Sequence, residues 1–506
     1  MTKRNSILLG FIVLKFALQY ILISPEYDLQ RDEYLHLDQA NHLAWGYLSV
    51  PPVTSWVSFI IKLLGNSVFW IKFFPALFGA LTLVVVWKVI EELKGNFFAL
   101  ILGATCVLFS VLLRLNTLYQ PNSLDVLSWT TFYFVLIKYF NSQNPKWLFI
   151  GAIVLAFGFL NKYNVVFLLL GFLPAVLITQ QRNVLTRTSF YLAVLLALLL
   201  VLPNLIWQYQ NSFPVVHHLK ELSETQLVNV DRWEFLKSQL LFFIGSLPVI
   251  LSGLVALLLY KPFKIYESFF WAFFFTLIVF MYFKAKDYYA IGLYPVYIAF
   301  GSVFLENVLQ NGWKKYLRTV AIALPVLLFI PMYNFAFPNK SPEYILKNQR
   351  KYKDLGMLRW EDGKDHELPQ DYADMLGWKE LARKVDQVYS DLPDPVHTLV
   401  LCDNYGQAGA INYYSEKGIK AVSFNADYVN WFDLNQQYTS VLRVISYSEV
   451  KNELEETKPY FKSVLVADSI TNTFAREYGT TLILFKEATV DINKRIKREI
   501  EEVKNY

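Results

Sequence analysis

Long apolar runs separated by short polar breaks fill the first two thirds of the chain, and beyond Asn339 they stop. A helix needs about 20 mainly apolar residues to cross a bilayer. Runs near 6–24, 67–90, 97–113, 123–140, 146–160, 164–180, 188–208, 236–260, 265–283, 288–306 and 318–337 reach or approach that length. They predict about eleven spans, the shorter ones tilting less or serving inside a bundle. The first run has a basic start but no evident small-residue cleavage site, so it is expected to be a retained span rather than a signal peptide. After Asn339 the apolar runs shorten. His397–Cys402, Val441–Tyr447, Val464–Ala467 and Thr480–Phe485 read as strands. Trp378–Tyr389 and Gln407–Tyr414 read as helices, and Asp491–Tyr506 as a charged amphipathic helix with a solvated face. The fold class expected is a polytopic α-helical membrane protein with about 11 transmembrane helices and a C-terminal α/β domain. The division expected is a membrane domain over 1–337, including a first loop at 25–66, and a soluble domain over 338–506.

One polar stretch interrupts the pattern in a different way. After the first run come Arg31-Asp32-Glu33-Tyr34, then Leu35, Leu37, Ala40, Leu43, Ala44 and Tyr47 at steps of three and four, then Pro51-Pro52. The spacing predicts a helix lying on the membrane surface, with Asp38, Gln39, Asn41 and His42 on its wet side and the prolines ending it. Asp32 and Glu33 are then carboxylates at the membrane boundary. Poor solvation there raises a carboxyl pKa and suits it to general-base work. The alternative is a pair of solvated loop acids.

Composition removes other classes. The chain has 506 residues, 55% of them hydrophobic and 17% aromatic, too much apolar surface for a soluble protein to hide. The formal net charge of +5 is spread between the apolar runs, so it speaks for topology rather than nucleic-acid binding. Lys3-Arg4, Lys94, Lys146, Arg182, Arg187, Lys261, Lys264, Lys314-Lys315 and Arg318 fall in alternate loops, which are therefore expected to be cytoplasmic. The remaining loops and the segment after Asn339 are expected on the other side, together with Asp32, Glu33, Lys162 and Lys286. Cys106 sits in an apolar run and Cys402 in the polar tail, so neither a mutual disulfide nor a metal knuckle is expected.

Asp32-Glu33-Tyr34, His42-Leu43-Ala44-Trp45-Gly46-Tyr47 and Pro51-Pro52 resemble the first external loop of GT-C fold membrane glycosyltransferases, specifically the family containing lipid A aminoarabinose transferases and protein O-mannosyltransferases (glycosyltransferase family 39-like). The chain departs from that pattern at Val50, where a polar residue, often His, commonly precedes the prolines. The resemblance implies a transferase that takes a sugar from a polyprenyl-phosphate donor, with Asp32 or Glu33 as base. It extends to Tyr119-Gln120-Pro121-Asn122-Ser123-Leu124-Asp125, where the family often places an acid directly after the proline. Here Asn122 holds that place and Asp125, one helical turn on, is expected to supply the carboxylate. The competing role for Asp125 is to cap its helix.

Cations on the same side complete the expected site. Lys162 in Asn161-Lys162-Tyr163, Lys286 and Lys284 in Lys284-Ala285-Lys286-Asp287-Tyr288-Tyr289, and Arg114 can bind a leaving phosphate, or can merely snorkel to lipid headgroups. The Lys-Tyr turn and the Lys-x-Tyr-Tyr pattern look like family features. They imply substrate contacts at Tyr34, His42, Tyr163, Tyr288 and Tyr289. A divalent metal is possible but not required; Asp32, Glu33 and Asp125 with His36 and His42 could form an oxygen-rich or mixed site. His217-His218 reads as a loop pair. Gly406 and Gly409 lack the full glycine pattern of a nucleotide loop and read as a tight turn. The expected partners are the donor, a lipid or protein acceptor and membrane lipids, without nucleic acid. The expected location is the inner membrane with the C-terminal domain outside the cytoplasm. Two other classes compete: a lipid-linked sugar flippase, which would need paired broken helices in two related halves, and a membrane-anchored scaffold, which would need no clustered acids. Trp-Trp-Asp-Tyr-Gly, expected of an oligosaccharyltransferase, is absent.

Overall fold

A computed structural model describes residues 2–504. The last two positions of the predicted terminal helix therefore lie outside the described residues. The chain forms two compact units. The first comprises 1–23, 50–54 and 66–339; the second comprises 24–49, 55–65 and 340–506. Most of the first polar loop thus groups with the C-terminal part, not with the helical part as the linear division of the sequence had it.

The first unit is helical. Lys3–Ile21, Val68–Glu92, Thr188–Gln210, Lys261–Tyr282 and Gly312–Phe335 are long and apolar enough to cross a membrane. Three more elements qualify only as bent pairs: Val165–Leu177 with Gln180–Thr186 (104°), Arg232–Phe242 with Leu247–Leu259 (101°), and Asp287–Leu293 with Pro295–Val308 (47°). Phe97–Leu108 and Lys146–Asn161 are shorter apolar helices. Several runs that look continuous in sequence are therefore broken in space, and hydropathy cannot see a bend. The run 123–140 becomes helix Asn122–Ser142, which buries Trp129, Tyr133 and Tyr139. His217 and His218 lie in a helix, Pro214–Thr225, started by the fixed φ of Pro214, rather than in a loop.

Side chains on the helical unit sort as a bilayer requires. Leu192, Leu195, Leu198, Leu199 and Leu202 on helix Thr188–Gln210 are exposed; they face lipid, where exposure of leucine carries no hydrophobic penalty. Helix contacts inside use aromatic rings and small residues. Gly301 is required by close approach: a Cβ there would lie 1.8 Å from the Val249 carbonyl oxygen.

The second unit is an α/β structure with strand order β2-β1-β3-β5-β4. β1 (Thr398–Cys402) runs parallel to β2 (Val422–Ser423) and β3 (Ser440–Ile445), while β5 (Thr481–Ala488) is antiparallel to β3 and to β4 (Phe461–Ser469). Four of these are the predicted strands. β2 was not expected, because two residues are too short to show an alternation. Leu399, Val441, Ile445, Ile483 and Phe485 build one core of the unit with Ile492 and Ile496 of helix Ile492–Lys504. That helix therefore has a buried stripe, where only a solvated face had been read. Cys106 and Cys402 are both free and buried.

The predicted surface helix is shorter and drier than its periodicity implied. It runs Arg31–Asp38, continues as a 3₁₀ turn over Gln39–Asn41 and then leaves helical geometry well before Pro51. Gln39, placed on the wet side from sequence, is fully buried, whereas Leu43, placed on the greasy side, is exposed. The reason is tertiary: the supposed wet face meets polar groups of the same unit. Tyr428 Oη and Asn412 Nδ2 donate to Asp38 Oδ2 at 2.6 and 2.7 Å, and Gln39 Nε2 donates to Asp427 Oδ2 at 2.8 Å.

Candidate functional site

In the helical unit, the turn at 161–164 meets the start of helix Asn122–Ser142. Asp125 sits in the first turn of that helix and is buried. Trp129 Nε1 donates to its Oδ1 and Asn164 Nδ2 to its Oδ2, each at 2.9 Å. Among the hydrogen bonds its side chain accepts, neither comes from the orphan amides of the helix start, so Asp125 is a buried partner of another helix rather than an N-cap. Asn164 Nδ2 also donates to the Tyr289 carbonyl at 2.9 Å, which ties in the segment Asp287–Leu293. Its own Oδ1 is buried and has no hydrogen-bond partner. A buried acceptor left unpaired costs about 1–3 kcal/mol and asks for an explanation in a native structure.

Lys162 caps the end of helix Lys146–Asn161. Its Nζ donates to Asn122 Oδ1 at 2.6 Å, lies 3.9 Å from the Tyr289 ring centre and 5.4 Å from that of Tyr288. A lysine directed inward onto an amide and an aromatic face is not snorkelling to a lipid headgroup. Lys162 is also close enough for its charge to act on Asp125 and Lys286. His218 joins this region: burial holds its imidazole below the usual range and the Lys286 charge adds to the effect, against Glu221. The Tyr163 hydroxyl donates to Asn204 Oδ1 at 3.2 Å and accepts from Gln208 Nε2 at 2.9 Å. Arg114 is engaged locally, its guanidinium donating to Thr117 Oγ1 at 2.8 Å. Lys284 occupies a left-handed position, φ 49°, at the end of helix Glu267–Tyr282. The structure thus brings together Asp125, Lys162, Lys286, Tyr288 and Tyr289, and adds Asn122, Trp129, Asn164 and His218. Asn164 had a signal, a polar side chain bordering an apolar run; Trp129 and His218 had none.

In the second unit, Asp32 and Glu33 start helix Arg31–Asp38 but do different things. Glu33 is fully buried and its Oε2 accepts from the Gln30 amide at 2.7 Å, while Gln30 Oε1 accepts from the Asp32 amide at 2.9 Å. Together they form a capping box. Glu33 thus serves the cap of this helix. Tyr34 is 1% exposed and packed on Trp378, Tyr413 and Tyr414. His36 is buried, with Nδ1 against Gln39 Oε1 at 3.3 Å, and burial lowers its pKa. His42 is exposed and stacks on Trp431, ring centres 4.3 Å apart.

Asp32 is half-buried and accepts at Oδ1 from the Tyr405 hydroxyl at 2.6 Å. The Arg31 guanidinium covers the Tyr405 ring at 4.5 Å. Tyr405 opens helix Tyr405–Tyr414, whose N-cap Asn404 accepts from the amides of Gly406 and Gln407. The glycines read as a tight turn are inside this helix. At Gly409 a Cβ would stand 2.7 Å from Tyr34 Cβ, so the residue serves the close approach of two helices. Asp374 lies in the same unit, salt-bridged to Arg476 at 3.0 Å; burial lifts its carboxyl to about 7, with Arg476 and Arg31 opposing. Among the described residues, no three His, Cys, Asp or Glu side chains are grouped as a metal ion would need. Glu33 Oε2 is engaged by the Gln30 amide and His36 Nδ1 by Gln39.

Residues 49–207 match the family described as dolichyl-phosphate-mannose-protein mannosyltransferase. The chain is 26% identical over 231 residues to the lipid A galacturonosyltransferase RgtD of Rhizobium johnstonii, a stretch covering 44% of this chain and 47% of that protein. It therefore spans about half the length of the curated relative it matches. In fold, it is similar end to end to ArnT of Cupriavidus metallidurans. The structure of ArnT bound to undecaprenyl phosphate superposes with a TM-score of 0.62 at 12% identity, over 97% of this chain and 99% of that one. The apo form gives 0.62 at 13% identity, over 96% and 98%. The sequence resemblance read at the first polar loop, the match over residues 49–207 and the fold agree: the chain has the fold of ArnT and is similar in sequence to membrane glycosyltransferases.

Proposed function

We propose that the protein is an integral membrane glycosyltransferase that moves a sugar from a polyprenyl-phosphate donor to a lipid or protein acceptor. The observation that carries this reading is the cluster at Asn122, Asp125, Lys162 and Tyr289. A carboxylate and a cation are costly inside a helix bundle and are normally kept there for use. The fold is shared with a protein solved with undecaprenyl phosphate. On this reading Lys162 and Lys286, with Lys284 and Arg114, neutralise the phosphate as it leaves. Asp32 takes the proton of the acceptor nucleophile, which attacks the anomeric carbon, and a single displacement inverts its configuration. Asp125 keeps Asn164 and the Tyr289 segment in place, and His42, Tyr163, Tyr288 and Tyr289 border the substrates. The alternating basic loops support a reaction outside the cytoplasm, with the C-terminal part on that side, and the reading takes the membrane to be the inner one.

The test is purified protein in lipid nanodiscs, supplied with undecaprenyl-phosphate sugars and with lipid A, other glycolipids or hydroxyl-bearing peptides. Release of lipid phosphate that depends on both donor and acceptor, and is lost in Asp32→Asn, is the expected result. Movement of intact donor across the bilayer without release would favour a flippase and overturn the reading.

A further inference from the structure

The hydroxyl of Tyr405 reaches the carboxylate of a residue 373 positions earlier in the chain, and the surroundings fix it there. Behind it, Asp403 accepts from Arg443 Nη2 at 2.6 Å and from the Ser446 amide at 2.8 Å, which anchors the end of β1 to β3. Asn404 then caps the helix that Tyr405 begins, and Gln407 Nε2 and Asn404 Nδ2 donate to the buried Glu477 at 2.7 and 3.2 Å. At Gly409 there is no room for a side chain against Tyr34. The Tyr405 ring therefore has little freedom, and Arg31 closes one face of it.

A tyrosine hydroxyl aimed at a carboxylate is a strong, directional, charge-assisted donor, and at 2.6 Å the contact has the length expected of one. It restricts rotation of the Asp32 carboxylate. A base needs this, because misplacement of a reacting group by about an ångström is enough to cost two orders of magnitude. The other charged groups acting around this pair are Arg31, His36 and Asp374. Arg31 meets Tyr405 through the ring face.

We propose that Tyr405 is a positioning residue for Asp32, so that the α/β unit supplies the orientation of the acid borne by the first polar loop. The inference rests on the assignment of Asp32 as the base. Tyr405→Phe removes one oxygen and keeps the ring that Arg31 covers. Expected in the variant are a kcat lowered about 10- to 100-fold and a donor KM within about twofold of the wild type. In the Asp32→Asn background the same change should cost nothing further, since the group it positions is gone. A turnover-independent readout accompanies these: the infrared carboxylate band that disappears in Asp32→Asn should change position in Tyr405→Phe, with the thermal midpoint nearly unchanged. Additive losses or an unmoved band would each overturn the role of Tyr405. A wild-type rate in Asp32→Asn would instead overturn the assignment of the base, while the band shift still reports on the contact itself.

Discussion

Asp125 and Asp32 are both acids at the start of a helix, and the two units hold them in opposite ways. Asp125 is buried among neutral donors, the Trp129 indole and the Asn164 amide, contributed by its own helix and by the turn at 161–164. Asp32 is half-buried beside a cation and a tyrosine that come from its own helix and from the far end of the sequence. The first arrangement fixes backbone segments to one another. The second leaves a carboxylate half-buried and met by a hydroxyl. On the proposed function, the acid whose oxygens are both used by structure organises, and Asp32 is the base.

The largest effect that tests this comparison is on turnover. Asp32→Asn should lower transfer by about 10²–10⁴-fold while the donor still binds. Asp125→Asn should lower it less, and with a fall in thermal stability, because an amide cannot accept from both Trp129 and Asn164 and one buried bond is lost. Steady-state rates and melting curves of the two purified variants decide the matter. A greater loss of turnover in a normally stable Asp125→Asn would reverse the assignment.

Next in size is the cation beside Asp125. Lys162→Ala removes the ammonium that Asn122 and Tyr289 hold. If it meets the donor phosphate, donor use should weaken by about 1.5–3 kcal/mol, roughly 10- to 150-fold. Unaltered donor affinity would reduce Lys162 to a strut between helices.

How much of this was legible depends on where the partner of each residue lies. Lys162, Asp125 and Tyr289 could be picked out because each interrupts or borders an apolar run, where a polar residue is conspicuous. The four longer strands and the helix at 378–390 followed from periodicity alone. The capping box Gln30-x-x-Glu33 is written in the sequence and went unread, because an acid beside Asp32 at a membrane boundary invites a chemical reading before a structural one. The wet face of the first-loop helix was unreadable for a different reason. Its partners, Asn412, Asp427 and Tyr428, lie several hundred residues away, and a period of 3.6 reports which side is polar but not whether water or protein meets it.

Glu33 also gives the third test. Glu33→Gln keeps the oxygen that the Gln30 amide needs, so stability and turnover should both stay near wild type, in contrast to Asp32→Asn. Glu33→Ala should cost about 1 kcal/mol of stability through the lost cap. A collapse of turnover in a stable Glu33→Gln would restore it as the base.

The smallest expected effect concerns Asp427, the acid that fastens the first polar loop within the second unit. Its Oδ1 accepts from the Leu48 amide and its Oδ2 from Gln39 Nε2, both at 2.8 Å, so one carboxyl holds two points of the segment 39–48. It is 1% exposed, and burial lifts its pKa to about 6, with the two hydrogen bonds opposing. An unfolded aspartate titrates near ~3.9. Below that pH both states are protonated and the contribution of Asp427 to stability is fully present. Between the two pKa values the unfolded state has released its proton and the folded state has not, so raising the pH favours unfolding, and the contribution is gone once the pH has passed through about 6. Over the interval from about pH 5 to pH 7 the loss amounts to about 1 kcal/mol. Asp427→Asn cannot titrate. It lacks this slope, although it sacrifices one hydrogen bond at every pH. Melting of the full chain in detergent, wild type beside variant, should show the gap between them narrowing as the pH rises from 5 to 7 and constant above that. Parallel curves across the whole range would mean that Asp427 is already ionised at pH 5, and that the loop is fastened by a charge rather than by a buried, protonated acid.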